Sequence, residues 1–153
     1  MKYSGVLLVV KDINKSKEFY KDVLNLDVVD DFGENVLLTD NIYLQELYKW
    51  KELINNEEVT FDGNNQELYF EEYNFDEFIK KIESRNINLV HGVIEHSWGQ
   101  RVIRFYDLDK HIIEVAEPME IVIKRFIDNG LTIEETAKRM DVPIEYVNSK
   151  LKS

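Results

Sequence analysis

The chain has 153 residues, of which 44% are hydrophobic and 12% aromatic, a composition that indicates a folded globular protein and excludes a disordered one. It contains no cysteine, which excludes disulfides, thiolate metal sites and thiol nucleophiles. The formal net charge is −11, and because the basic and acidic residues of 119–153 cancel, all of it belongs to residues 1–118. Such a surface repels nucleic acid and attracts cations. The apolar run near the N-terminus, residues 5–10, is too short for a signal or membrane segment, so we expect a soluble cytoplasmic protein.

The first part of the chain is predicted to fold as β-α-β-β-β. Residues 2–10 form a buried strand, and Asp12 caps a helix over 13–24 that ends at Asn25 in the left-handed conformation. Residues 48–65 are polar and predict a linker, with room for a helical turn, long enough to cover a cavity. Between helix and linker, turn residues separate three short strands, 26–30, 35–39 and 42–47.

The same order of elements repeats in the second part. Its strands are predicted at 66–72, 88–94, 101–107 and 111–117. Asn74 and Glu77 have the spacing of a capping box at the start of its helix. Asp12 and Asn74 hold equivalent places, so the two parts are offset by 62 residues. We therefore predict an internal duplication, with modules 1–62 and 63–118 curling around one shared cleft.

A carboxylate interrupts the last apolar strand. Glu114 stands among Ile and Val residues, and burying its charge requires a cation, hydrogen-bond donors or a metal. A three-residue hairpin loop with Lys110 left-handed puts Arg104 opposite Glu114. A two-residue loop brings Arg101 and Ile103 to that face instead. Either register places an arginine near Glu114, as a structural ion pair or as part of a site.

Residues 119–153 are predicted to form a helical tail. Helices are expected at 119–128, 132–140 and 144–151. Thr132 and Glu135 form a capping box, and the last two helices resemble a partial helix-turn-helix with Ile144 and Val147 inward. A DNA-reading helix needs clustered basic residues, which this tail lacks, so nucleic-acid binding is disfavoured. A cap over the domain or a dimer contact is the favoured role.

Two stretches identify a family. The segments VVKDINKSKEFYKDVLNLDVV and WGQRVIRFYDLDKHIIEV, within the doubled β-α-β-β-β, resemble the glyoxalase/bleomycin-resistance/dioxygenase superfamily over residues 3–117. The lead-in WGQR is most similar to the bleomycin-resistance branch. The resemblance implies an α+β protein in the vicinal oxygen chelate fold, two tandem βαβββ modules in a curled mixed sheet around a cleft. The domain would span residues 1–118, followed by the tail.

The resemblance also implies positions at which metal-dependent members hold an ion: Gly5, Gln45, Glu67 and Glu114. Gly5 offers no side chain, and the two histidines of an iron dioxygenase site are missing, so dioxygenase chemistry is disfavoured. Gln45, Glu67 and Glu114 could hold Mg²⁺ or Mn²⁺ in a glyoxalase-type lyase or isomerase, with Glu67 or Glu114 moving a proton. Our first expectation is that no cofactor is bound.

The expected cleft is aromatic and acidic, and such walls suit a planar or cationic small molecule. Strand alternation and the resemblance place along it Tyr3, Tyr43, Gln45, Tyr69, Trp98 and Arg104. The tyrosines could equally be core residues, whereas Gly5 would leave room for a ligand. The first hypothesis is a bleomycin-resistance-like, homodimeric binding protein that uses no metal and serves antibiotic resistance. The alternatives are the metal-dependent lyase and a ligand-responsive regulator acting through the tail.

Overall fold

The computed structural model describes residues 1–152, which fold into an α+β protein with two four-stranded sheets. The strands are β1 (Val6–Val10), β2 (Val28–Asp31), β3 (Asn35–Leu38), β4 (Ile42–Glu46), β5 (Glu67–Glu71), β6 (Leu89–Glu95), β7 (Arg101–Tyr106) and β8 (Ile112–Ala116). The helices are α1 (Ile13–Leu24), α2 (Leu47–Leu53), α3 (Phe75–Glu83), α4 (Met119–Asp128), α5 (Ile133–Met140) and α6 (Ile144–Lys150). The chain forms two compact units, Met1–Glu67 with Tyr106–Ile112, and Leu68–Phe105 with the chain from Ile113 onward.

The first unit contains a mixed sheet in the order β1-β4-β3-β2, in which β1 and β4 are parallel. Helix α1 has its predicted bounds because Asp12 accepts a hydrogen bond from the backbone N of Lys15 and Asn25 ends it at φ 59°. The helix contacts β4, and one face of the sheet is buried beneath it. That face carries Leu8, Val10, Ile42 and Leu44.

Two stretches of this unit differ from the prediction. Strand β1 begins at Val6 instead of residue 2, because Gly5 has φ 145°, which breaks the extended run before it. Residues 47–53, predicted largely as linker, form the seven-residue helix α2. The remainder of the linker, residues 54–65, has no regular strand or helix.

The second unit contains most of the other sheet, ordered β5-β8-β7-β6. Helix α3 covers one face, with the Phe78 ring 6.3 Å from that of Phe105 between centroids. The predicted capping box of α3 is wrong. Asn74 has φ −96° and ψ 48° and makes no capping hydrogen bond with its side chain, because an N-cap normally needs an extended backbone. Glu72 instead accepts from the backbone N of Asn74, at 2.7 Å.

The hairpin between β7 and β8 has a three-residue loop, which is one of the two loop lengths that the sequence left open. The backbone N of Asp107 donates to the carbonyl of His111 at 3.0 Å, and Lys110 has φ 72°. This register pairs Arg104 with Glu114, as the first alternative predicted. Both residues lie on the face of the sheet opposite α3.

The tail consists of α4, α5 and α6 packed around a small apolar core. The bounds of α4 and the capping box of Thr132 and Glu135 match the prediction. Val147 is fully buried, but the inward position predicted for Ile144 is wrong, because this residue lies in the first turn of α6, outside that core, and is 41% exposed. Among residues 1–152, no helix is long and apolar enough to cross a membrane. The core residues are Val122, Ile123, Phe126, Ala137, Met140 and Val147.

Candidate ligand-binding site

The first unit contains a cavity of about 310 Å³. It is lined by Leu7 and Val9 of β1, by the irregular segment 59–66, and by residues 109–111 of the hairpin. The volume lies at the small end of the range for ligand pockets. Three stretches far apart in sequence therefore build this candidate site.

The cavity lies on the face of the sheet opposite α1. Parallel pairing sets Leu7 beside Tyr43 and Val9 beside Gln45, so these four side chains share one face. Tyr43 is half-buried, and Gln45 is buried with 4% exposure. The structure thus brings two of the predicted ligand-binding residues to the sheet face that lines the cavity.

Phe61 supplies an aromatic ring to the cavity wall. The Nζ atom of Lys11 lies 4.1 Å from its centroid, a cation–π contact. The His111 ring meets Phe61 edge-on, 6.4 Å between centroids. The hydroxyl of Tyr106 donates to the side chain of Asn64 at 2.9 Å, which ties segment 59–66 to the hairpin. These contacts hold the segment in a defined position.

The hairpin side of the cavity is fixed by Asp107. One carboxylate oxygen accepts from the hydroxyl of Tyr20 and the Nδ1 of His111, both at 2.8 Å. The other accepts from the backbone N atoms of Asp109 and His111. Burial, and next the charge of Asp107, raise the pKa of the Tyr20 hydroxyl well above its usual range, so Tyr20 remains a donor. Asp107 therefore sets the orientation of the His111 ring at the cavity edge.

Asp109 is a second buried carboxylate of the hairpin, with 3% exposure. It accepts from the backbone N of Lys11 at 3.0 Å and lies 3.5 Å from the Nζ of the same residue. The contact joins the end of β1 to the loop and compensates the burial of the charge. Lys11 thus bridges Asp109 and the Phe61 ring on one side of the cavity.

Two of the superfamily's metal positions, Gly5 and Gln45, make other contacts in the first unit. The Oε1 of Gln45 accepts from the Nδ2 of Asn35 at 3.0 Å, and its Nε2 donates to the carbonyl of Glu34 at 2.7 Å. A Cβ added to Gly5 would lie 2.1 Å from the carbonyl oxygen of Asn41. The expectation that Gly5 leaves room for a ligand is therefore wrong, because backbone fills that direction.

The remaining two metal positions do not supply a donor set either. Glu114 is buried, with 4% exposure, and pairs with the guanidinium of Arg104. The same guanidinium donates to the Nε2 of His91 at 3.3 Å. Glu67 lies at the exposed start of β5. Among residues 1–152, no three His, Asp or Glu side chains are grouped so that they could hold a metal ion. These residues do not fit the metal that the family implies.

Three other predicted ligand-binding residues, Tyr3, Tyr69 and Trp98, are exposed. Tyr3 precedes β1 and is 82% exposed, and Tyr69 is 51% exposed, so neither belongs to the core. The Tyr69 hydroxyl accepts from the Nε2 of Gln100 at 3.3 Å and donates to Glu71 at 3.1 Å. The indole N–H of Trp98 donates to the Oε1 of Gln100 at 3.1 Å. In the second unit, Gln100 thus connects Tyr69 to Trp98.

The sequence predicted that the linker 48–65 could cover a cavity, but Phe61, Lys11 and His111 were missed as parts of a site. The one available signal was Phe61, a large aromatic residue of the polar stretch 48–65, which also contains Tyr48 and Trp50. Its partners were not visible, because Lys11 and His111 lie far from it in the chain and meet it only through the fold.

Comparison with known families identifies the domain. The profile of the glyoxalase-like domain family matches residues 3–120. This chain belongs to that family. A protein of unknown function from Agrobacterium tumefaciens has a similar solved structure, with 37% identity, a TM-score of 0.70, and coverage of 77% of this chain and 94% of that one. The superfamily resemblance read from the sequence is confirmed.

More distant glyoxalase-like proteins share the fold. A glyoxalase-related enzyme from Fulvimarina pelagi is 17% identical, with a TM-score of 0.67 over 77% of this chain and 88% of that one. The fosfomycin resistance protein FosX of Listeria monocytogenes is 24% identical over 80% of this chain and 95% of its own length. The vicinal oxygen chelate fold predicted from the sequence is therefore confirmed.

Proposed function

We propose that this glyoxalase-like protein binds a small, planar, positively charged molecule without a metal, and that the cavity of the first unit is the binding site. The observation that carries the proposal is that the side chains of two candidate metal ligands already have partners in the protein. Gln45 and Glu114 are each engaged by protein groups within their own unit, whereas the cavity beside Leu7 and Val9 is open to a ligand.

A planar ligand is favoured by the walls of the cavity. Phe61 presents a ring held by Lys11 and His111, and the half-buried Tyr43 lies on the adjoining sheet face. Aromatic rings stack on such surfaces at about 0.5–1.5 kcal/mol per pair beyond area burial. Since these rings are fixed before the ligand arrives, little conformational entropy is lost on binding.

Positive charge on the ligand is favoured by electrostatics. Asp62 and Asp109 line the cavity together with Lys110, and Lys11 compensates Asp109, so the local charges nearly cancel and the charge preference comes from the whole chain. The net charge of −11 adds a field that concentrates cations near the surface. An anion of the same shape meets the opposite field and is expected to bind more weakly.

The relative FosX is named for fosfomycin resistance, which extends the proposal to a role in resistance by binding a toxic compound. Fosfomycin itself is an anionic phosphonate and does not match the acidic character of this chain. We therefore expect no protection against fosfomycin and some protection against planar cationic compounds. The glyoxalase-type lyase is the weaker candidate, because Gln45 and Glu114 do not fit a metal.

The proposal is tested by calorimetric titration with N-methylacridinium and with acridine-9-carboxylate, which share a ring system and differ in charge. The cation is expected to bind at least about tenfold tighter, or about 1.4 kcal/mol. Phe61→Ala is expected to weaken the cation by a similar factor. The control, Phe32→Ala, removes a ring that is 70% exposed and does not line the cavity.

Two results would overturn the proposal. Equal binding of cation and anion would show that charge plays no part. Loss of affinity in both Phe61→Ala and Phe32→Ala, or in neither, would place the ligand outside this cavity.

A further inference from the structure

The second unit contains a cavity of its own, with a volume of about 560 Å³. The family profile ends at residue 120, so most of the wall comes from the helical tail beyond the matched domain. The residues that matter here are Trp98, Met119, Met140, Asp141, Val142 and Tyr146. The cavity shares no lining residue with that of the first unit.

Trp98 is held at the edge of this cavity with its ring partly uncovered. It stacks on His96, with 4.3 Å between centroids and planes 23° apart, and it is 38% exposed. Its indole N–H donates to Gln100, whose Nε2 donates to the carbonyl of Glu117 at 2.8 Å. A ring fixed from two sides is a preorganised stacking surface, because no side-chain freedom is lost when a ligand arrives.

The rest of the wall suits an aromatic ring. Met119 and Met140 bring thioether side chains, which adapt to flat ligands and contact aromatic edges favourably. Tyr146 adds a second ring on the tail side. Met140 is 2% exposed and belongs to the tail core, so packing fixes its side chain where it lines the cavity.

Two charged residues, Arg139 and Asp141, line the cavity, and they differ in whether the protein already supplies a partner. The guanidinium of Arg139 donates to the carbonyl of Ser97, lies 3.8 Å from Glu95, and sits 5.5 Å from the Phe126 ring centroid. Arg139 is therefore committed to the protein. Asp141, exposed where α5 ends, pairs with no basic side chain of residues 1–152. The carboxylate left for a ligand is that of Asp141.

We propose that this tail-built cavity binds a small aromatic amine, with the ring between Trp98 and Tyr146 and the ammonium toward Asp141. The amine supplies the charge that Asp141 lacks, and its ring covers the exposed indole of Trp98. The proposal concerns a site separate from the cavity proposed above and does not depend on it.

The experiment uses the two tryptophans, Trp50 in the first unit and Trp98 in the second. In the full-length Trp50→Phe variant, Trp98 emission is followed during titration with 2-phenylethylamine, 2-phenylethanol and phenylacetate, which do not absorb at the excitation wavelength used for tryptophan. The amine is expected to give a saturable change and to bind about fivefold tighter than phenylacetate.

Three further variants test where the ligand binds. Asp141→Asn, which keeps a residue that tolerates the left-handed conformation at φ 56°, should weaken the amine about threefold and leave 2-phenylethanol unchanged. Asp128→Asn removes the same charge from an exposed tail position outside the cavity and should change neither. Tyr146→Leu keeps an apolar side chain and should weaken all three compounds about fivefold.

The proposal is overturned if no compound gives a saturable change, or if Asp141→Asn and Asp128→Asn behave alike. It is also overturned if the response moves to Trp50 in the Trp98→Phe variant, or if Phe61→Ala abolishes it. Either of these last two results would assign the amine to the first unit.

Discussion

The guanidinium of Arg104 pairs with the buried carboxylate of Glu114 on one face of the second sheet. The three-residue hairpin loop sets this pairing, because it brings residues 104 and 114 to opposite positions on β7 and β8. The superfamily resemblance marks Glu114 as a metal ligand, but here its negative charge is compensated by the guanidinium of Arg104.

Removing the cation is expected to destabilise the protein strongly. In Arg104→Met, Glu114 would stay buried without its partner, and such changes cost about 3–5 kcal/mol of unfolding free energy. Urea unfolding at neutral pH measures the loss. The control is Lys21→Met, which breaks the exposed pair with Asp27 and should cost less than about 1 kcal/mol. Equal losses in both variants would contradict a special role for the buried pair.

Metal loading is expected to leave the protein without stoichiometric metal. After incubation with Mn²⁺, Mg²⁺, Ni²⁺ or Zn²⁺ and desalting, elemental analysis should find no tightly held ion, because Gln45 and Glu114 already have partners. If one ion per chain were retained, and lost in Glu114→Gln, the proposed metal-free binding would fail. Lyase and isomerase substrates would then become the correct ones to screen.

Protonation of Glu117 is expected to lower the free energy of unfolding at acidic pH. Burial raises the pKa of this carboxyl, but hydrogen bonds from Arg101 and the charges of Arg101 and Arg125 outweigh burial, so its pKa lies below the ordinary value of 4.5. The unfolded chain then binds the proton more readily, so the stabilisation is complete above that value and is lost as the pH falls through the folded pKa.

The measurement is the urea midpoint as the pH is lowered from about 7 to about 3. The midpoint should fall less steeply in Glu117→Gln than in the unchanged protein. Glu57→Gln removes an exposed carboxylate in the other unit and serves as the charge-matched control. An unchanged slope in Glu117→Gln would show that other groups cause the acid sensitivity.

Gly5→Ala is expected to destabilise the first unit by more than about 2 kcal/mol, because the new Cβ would meet the carbonyl oxygen of Asn41 at 2.1 Å and Gly5 has φ 145°. Thermal unfolding measures the effect. Gly92→Ala is the matched control, since nothing lies within 4 Å of its added Cβ, and it should change stability by less than about 1 kcal/mol. A neutral Gly5→Ala would restore the view that this position is open.

The tail is expected not to retain DNA. Lys150 lies 3.8 Å from Glu120, and Val147 is buried in the tail core, so α6 presents no basic face. Retention on a DNA column at low salt tests the regulator alternative. Salt-dependent retention that disappears on deletion of residues 119–153 would support that alternative and contradict ours. The homodimer and the cytoplasmic location stay predictions.

The sequence by itself determined the elements whose causes are local. Asp12 and Asn25 set the ends of α1, and Thr132 with Glu135 opens α5, because capping depends on residues within one helical turn. The doubled order of elements and its family motifs were also readable, since they lie along the chain. Asn74 shows the limit of this reasoning, because its backbone conformation, not its residue type, prevented the cap.

Only the tertiary structure decided what the site residues do. Gln45 and Glu114 were candidate metal ligands in the sequence; the fold supplied Asn35 as the partner of Gln45, and it selected Arg104 over Arg101 for Glu114. The cavity beside Phe61 depends on contacts with Lys11, which lies far from it in the chain. Hydrogen-bond commitment and cavity shape arise from such long-range packing. A pattern of residue types can therefore propose a site, and the packing determines whether its donors remain available.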